Sequence, residues 1–339
     1  MIDLNTTWFI LVGVLITGYA ILDGFDLGVG VLHLFADNEQ QRRVNMNAIG
    51  PVWDGNEVWL LTAAGALFAA FPPVYATIFS GFYLAMMLIL AALIFRAVSL
   101  EFRSKVDLSI WRRFWDWSFG LGSLLPALLF GVAVGNLLRG VPIDVNGAWA
   151  GSFPGLLNPY ALLVGVLSLV MLVMHGAVYM TTRTEGDLCR RMSQWALRGW
   201  VGFVIVYLLV TLYSFFEAGY LFEGLLANPL FWLFLVMLLA AISYLPIALR
   251  AARYGRAFFS SAVMIVSVIA LAAVSMYPRL APSSIDLAYS LTAYNASSTP
   301  RTLTVMLIIA AIGMPIVIGY TVYMYRVFKG KVEVTSESY

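Results

Sequence analysis

Two pairs of carboxylates stand out in this chain, Asp23 with Asp26 and Asp54 with Glu57. Members of each pair are three residues apart, so on a helix they share a face. All four fall inside long apolar stretches. There an ionised carboxylate costs several kcal/mol unless it is paired, protonated or wetted. Residues kept at that cost transfer protons or ions, or hold a polar ligand. Arg96 is a fitting companion, because guanidinium stays charged and can hold a carboxylate through two parallel hydrogen bonds. The competing account is a structural polar network that locks helices together. It weighs most for Asp26 and Glu57, which lie nearer the edge of the apolar stretches.

The elements that position these residues must be membrane helices. Hydrophobic residues make up 61% of the 339 and charged residues 11%, far from the roughly half and quarter of soluble domains. Apolar runs of about 20 residues predict nine spans. They lie near Trp8 to Leu32, Pro51 to Phe71, Tyr75 to Ile94, Trp115 to Leu138 and Leu157 to Met180, then Trp200 to Tyr220, Pro229 to Leu249, Phe258 to Tyr277 and Leu303 to Val327. The expected fold is an all-α integral membrane protein, with residues 1–339 forming a single membrane domain. Of the 20 Lys and Arg residues, all but Arg139, Arg279 and Arg301 fall on one side of this pattern. The positive-inside rule then places the N-terminus outside and the C-terminus in the cytoplasm. Met1 to Trp8 carries Asp3 and no basic residue, so no cleavable signal is read and the first helix is expected to remain.

Leu11-Val12-Gly13-Val14-Leu15 reads like Leu163-Val164-Gly165-Val166-Leu167, and at that register Asp23-Gly24 aligns with His175-Gly176. A parallel repeat is therefore open, with four-helix halves over about 1–150 and 151–280 and a ninth helix at about 303–327. Chance likeness among apolar residues is the alternative. Gly24 and Gly28 have the spacing that lets helices approach closely. The outer loop Pro278 to Arg301 reads as either an ordered polar cap or a flexible segment.

Several classes are excluded or disfavoured. The net charge of +2 and the lack of a basic stripe speak against nucleic-acid binding. Cys189 is the only cysteine, which rules out an internal disulfide and a Cys-cluster metal site. Of the two histidines, His175 sits level with Asp23 by the repeat register, about 15 Å along the axis from His33. They cannot share a haem. A haem held by one histidine and Met171 or Met174 is harder to dismiss, although helix packing or proton relay suits His175 better. Most tryptophans at span ends read as an interfacial belt, and Asp116 between Trp115 and Trp117 reads as a helix cap.

Longer motifs carry a family resemblance. Met1-Ile2-Asp3, the run Asp23-Gly24-Phe25-Asp26-Leu27-Gly28-Val29-Gly30 and the run from Ile49 through Trp53-Asp54-Gly55-Asn56-Glu57 to Leu60 resemble subunit II of the cytochrome bd-type quinol oxidases. Gly65 to Pro72, Phe79 to Tyr83, Phe102 to Lys105, Trp115-Asp116-Trp117, Gly135 to Leu138, Leu157-Asn158-Pro159 and Pro282-Ser283-Ser284 extend the likeness over nearly the whole chain. The loop from Glu217 to Ala227 reads as a variable region.

The resemblance implies a subunit of an oxidase that oxidises quinol, reduces dioxygen to water and builds a proton gradient in a bacterial or archaeal cytoplasmic membrane. It implies a partner, subunit I, that carries two b-type haems and one haem d. This chain would ligate none of them and would not be catalytic alone. It further implies that Asp23 and Asp54 line a cytoplasmic proton path with Arg96 beside it, and that quinone, lipid and a small single-helix accessory subunit are companions. A stand-alone proton-coupled transporter and a purely structural anchoring subunit are the other classes considered.

Overall fold

In a computed structural model that describes residues 3–333, the chain folds into eleven α-helices and one small β-ribbon. The helices are α1 (Leu4–His33), α2 (Glu39–Ile49), α3 (Trp53–Ala70), α4 (Pro72–Gly81), α5 (Tyr83–Phe102) and α6 (Ser109–Arg139). They continue with α7 (Pro159–Arg183), α8 (Gly186–Glu217), α9 (Pro229–Arg250), α10 (Tyr254–Met276) and α11 (Pro300–Val327). Eight of them, α1 and α5 to α11, are long and apolar enough to cross a membrane. Below, the upper end of the bundle is the one where α1 begins and the lower end the one where it finishes.

The helix starts are written locally. Asp3 accepts from Thr6 N at 2.8 Å and Asn158 from Ala161 N at 2.9 Å; each fills a donor that the first turn leaves open. Pro159, Pro229 and Pro300 stand at first helical positions, where a missing N–H costs nothing.

At the centre, α1 and α7 cross backbone to backbone. A Cβ added to Gly28 would lie 2.0 Å from the Leu172 carbonyl oxygen, and one added to Gly176 would lie 2.6 Å from the Gly28 carbonyl carbon. Only glycine fits either place, and the close approach stands in for the hydrophobic drive that lipid cannot supply. Around this pair, α1 packs on α3, α6 and α10, while α7 packs on α8, α10 and α6. Helix α5 lies on α6, and α9 on α10. Helix α11 touches the bundle along α1 and α3, and Leu303 is its one buried residue among those described.

Some boundaries differ from the sequence reading. The third predicted span is two helices: α4 starts at Pro72-Pro73, and Phe82 breaks the path before α5. Hydropathy carried across that break because both sides are apolar. Helix α8 begins at Gly186 rather than near Trp200, since its first turns carry Arg190, Arg191 and Arg198 and extend beyond the apolar run. Helix α2 is polar and was not legible as a span. Met1 and Ile2 of the first motif lie outside the described residues.

The loop after α10 is an ordered cap at the upper end. Strands β1 (Arg279–Ala281) and β2 (Leu291–Thr292) pair antiparallel. Val141 N donates to Pro282 O at 2.9 Å, and Ser298 N donates to Ala70 O at 2.8 Å, closing the cap over α3. At the lower end the tail after α11 docks on α7, where Arg183 Nη1 donates to Phe328 O at 2.6 Å and Val332 N to Arg183 O at 2.9 Å.

Candidate functional site

The lower half of α1 delivers Asp23 and Asp26 into the bundle, both wholly buried. Arg96, on α5 and equally buried, reaches Asp23 with Nη2 to Oδ1 at 2.7 Å and Nη1 to Oδ2 at 3.4 Å. It can do so because α6 presents Gly122 to α5: a Cβ there would lie 2.6 Å from Ala92 O and 3.0 Å from Arg96 N. Glu57, entering from the second turn of α3, places Oε2 3.6 Å from Arg96 Nη1.

Asp26 is held differently. Its Oδ2 accepts from Asn56 Nδ2 at 2.7 Å, and Asn56 Oδ1 accepts from the Tyr325 hydroxyl at 3.0 Å. The other carboxylate oxygen, Oδ1, is buried with no hydrogen-bond partner among the described residues. The guanidinium thus contacts two carboxyls, Asp23 and Glu57, while the third, Asp26, keeps one oxygen open.

Asp23, Asp26, Glu57 and Arg96 are therefore brought together as the sequence suggested. Asp54 is not among them: it lies in the first turn of α3 on an exposed face of this chain. Asn56 and Tyr325 were missed. Asn56 was signalled by its polarity inside an apolar run, whereas nothing near Tyr325 in sequence points to its distant partner.

A second network closes the lower end. His33 Nε2 pairs with Asp116 Oδ1 at 2.7 Å, and Arg103 donates Nε to the same oxygen at 2.5 Å. Arg103 also grips Glu39 through both terminal nitrogens, at 3.0 and 2.8 Å, and Arg42 lies 3.2 Å from Asp116. Partial burial pushes the Glu39 carboxyl up, but hydrogen bonds and charge from Arg103 outweigh it and hold it below the ordinary value. The cap reading of Asp116 is corrected here. Helix α6 starts at Ser109, so Asp116 lies two turns in and serves as an ion-pair acceptor instead.

His175 has both ring nitrogens engaged within the chain. Nδ1 pairs with Ser261 Oγ at 2.8 Å, Nε2 with Ile21 O at 3.0 Å, and the ring stacks on Phe258 at 4.9 Å. Among the described residues no group of three His, Cys, Asp or Glu is placed to hold a metal ion.

A sequence profile of the family described as "Cytochrome bd terminal oxidase subunit II" matches residues 4–328. "Cytochrome bd-I ubiquinol oxidase subunit 2" of Escherichia coli (strain K12) is 39% identical over 368 residues, covering 98% of this chain and 97% of that one. "Cytochrome bd ubiquinol oxidase subunit 2" of Bacillus subtilis (strain 168) is 40% identical over 336 residues, covering 98% of each. "Probable cytochrome oxidase subunit 2" of Haemophilus influenzae is 40% identical over 366 residues, at 98% and 97% coverage. In fold, the chain is similar to a chain of the bd oxidase from Geobacillus thermodenitrificans, with a TM-score of 0.81, 17% identity and coverage of 96% and 99%.

Proposed function

The chain belongs to the cytochrome bd terminal oxidase subunit II family, and from that premise we propose that its buried acid cluster conducts protons for the oxidase. Membership makes it one subunit of a quinol oxidase in the cytoplasmic membrane, with subunit I as partner. The stand-alone transporter is not favoured, since the matching relatives are oxidase subunits.

The observation that carries the proton reading is Arg96, fully buried, 2.7 Å from Asp23 and 3.6 Å from Glu57, with Asp26 and its open oxygen also on α1. A purely structural pair needs one acid for one base. Three acids around one fixed cation can take up and release protons without a change of fold. Asp54 then stands on the exposed face of α3 as the residue through which the cluster meets the partner subunit.

The haems of the complex, two of b type and one haem d, are assigned to subunit I on the family resemblance. His175 is committed through both ring nitrogens, whereas His33 is held by Asp116 through Nε2 alone. Bound quinone and a single-helix accessory subunit are further companions inferred from the family alone. Helix α3, about 27 Å long at 1.5 Å per residue, is proposed as the ninth crossing despite its acids, and the basic residues argue for an N-terminus outside and a cytoplasmic lower end. The repeat is supported by matching neighbours: α1 contacts α3 and α6 as α7 contacts α8 and α10, while α5 lies on α6 as α9 lies on α10.

Replacement of Asp54 tests the path. Asp54→Asn keeps size and hydrogen bonding but removes the titratable proton. Quinol-driven oxygen consumption should fall about tenfold or more, equal to about 1.4 kcal/mol in barrier, with haem content unchanged, while Asp54→Glu keeps substantial activity. Normal turnover by a fully assembled Asn variant would take Asp54 out of the path.

A further inference from the structure

At the lower end, α2 and the first turns of α6 enclose an open cleft of about 440 Å³. Arg42, Arg112 and Arg113 line it, facing the acids Glu39 and Asp116. Both acids are already satisfied from behind by the buried Arg103, and Asp116 pairs with His33 and Arg42 as well. Arg113 makes no ion pair among the described residues, and Arg112 acts on Glu39 through charge alone, so positive charge remains on the outer wall. Arg112 lies 2.7 Å from Asp107, but that side chain is 92% exposed, and surface pairs of this kind are weak.

The start of α6 adds to the positive field. Leu108 gives the helix no side-chain cap, and its first turn holds no acid. Its open N–H groups and the positive end of the helix dipole thus lie beside two arginines, an arrangement that improves when an anion joins it. The cleft also has an apolar side, made by Leu34 and Trp117. Trp111 and Trp115 pack nearby with ring centroids 5.6 Å apart, as expected of aromatic residues at a membrane interface.

We propose that this cleft binds the phosphate of an anionic phospholipid from the adjacent leaflet, with Arg112 and Arg113 supplying the charge and Leu34 and Trp117 facing its apolar part. Dissolved inorganic phosphate could meet the same arginines. The apolar side and the place of the cleft at the end of the membrane helices favour lipid. Basic residues beside a membrane helix are drawn to anionic headgroups, at about 1 kcal/mol each.

The test uses the assembled oxidase in nanodiscs of phosphatidylcholine with or without phosphatidylglycerol. Bound lipid is read by native mass spectrometry and local protection by hydrogen exchange over residues 105–117. Phosphatidylglycerol should be retained and should protect the start of α6. Arg112→Gln with Arg113→Gln should weaken retention roughly thirtyfold, converting about 1 kcal/mol per arginine at an anionic surface. Arg112→Lys with Arg113→Lys keeps the charge and should retain most of the binding. Equal retention and protection in the native protein and the Gln variant would overturn the site. Equal protection by inorganic phosphate in pure phosphatidylcholine discs would overturn the lipid assignment.

Discussion

Neutralising Asp23 and Arg96 singly and together separates packing from proton transfer. Both side chains are wholly buried, and their shortest contact is 2.7 Å. Asp23→Asn leaves a buried guanidinium whose nearest remaining counter-charge is Glu57 at 3.6 Å. Breaking a buried pair in this way costs about 3–5 kcal/mol, and Glu57 should keep the cost near the lower end. Arg96→Gln is milder, because the carboxyl left behind can bind a proton. In the double variant two neutral amides can still hydrogen-bond, and a net loss of about 1 kcal/mol is expected. The double-mutant cycle should therefore show coupling of at least about 2 kcal/mol, read as the fraction of assembled complex that survives a graded heat step. Oxygen consumption then decides the role. If the pair only holds helices together, restoring stability restores turnover. If it carries protons, the double variant assembles and stays at least about tenfold slow, equal to about 1.4 kcal/mol in barrier. Strict additivity of the single losses, or normal turnover by the double variant, would refute the reasoning.

Gly28→Ala should lower the yield of folded complex, because the new methyl would lie 2.0 Å from the Leu172 carbonyl oxygen; overpacking of this kind costs about 1–3 kcal/mol, and an unchanged melting temperature would contradict the close crossing. Reporter fusions after Lys105 and after Arg139 should read cytoplasmic and external respectively, and the reverse pattern would invert the proposed orientation. The depressed Glu39 carboxyl contributes stability that is fully present above its ordinary value of 4.5 and is lost as pH falls through its lowered value. Acid titration of the complex should therefore loosen the contact of α2 with Arg103 only below that ordinary value, and Glu39→Gln should remove this step from the titration.

Much of the architecture was legible because membrane helices announce themselves by length and apolarity, as α7 and α9 do. Helix α3 was legible as a run from Pro51 to Phe71, though Asp54, Asn56 and Glu57 dilute its hydropathy and keep it out of the eight long apolar helices. The break at Phe82 was invisible because apolar residues flank it on both sides. For the site, spacing was enough to put Asp23 and Asp26 on one face, and burial cost was enough to bring Arg96 to Asp23. Which acid faces inward from α3 was not legible: Glu57 joins the cluster, and Asp54 points to the surface of this chain. The network of His33, Glu39, Arg103 and Asp116 joins four separate stretches of sequence, and no local pattern encodes such a meeting. The link from Tyr325 to Asn56 spans most of the chain and escaped for the same reason.

That link makes the outermost helix a lever on the acid cluster. Helix α11 leaves nearly all its surface outside the bundle, yet the Tyr325 hydroxyl holds Asn56 at 3.0 Å, and Asn56 holds Asp26 at 2.7 Å. A sideways shift of α11 by about 1 Å stretches the first of these beyond hydrogen-bonding range. Asn56 then keeps only the bonds of its amide nitrogen, to Leu22 O at 3.3 Å and to Asp26 at 2.7 Å, so the donor on Asp26 loses its outer anchor. Any neighbour that leans on α11 therefore sets how firmly a carboxyl deep inside the protein is clamped, without touching that carboxyl.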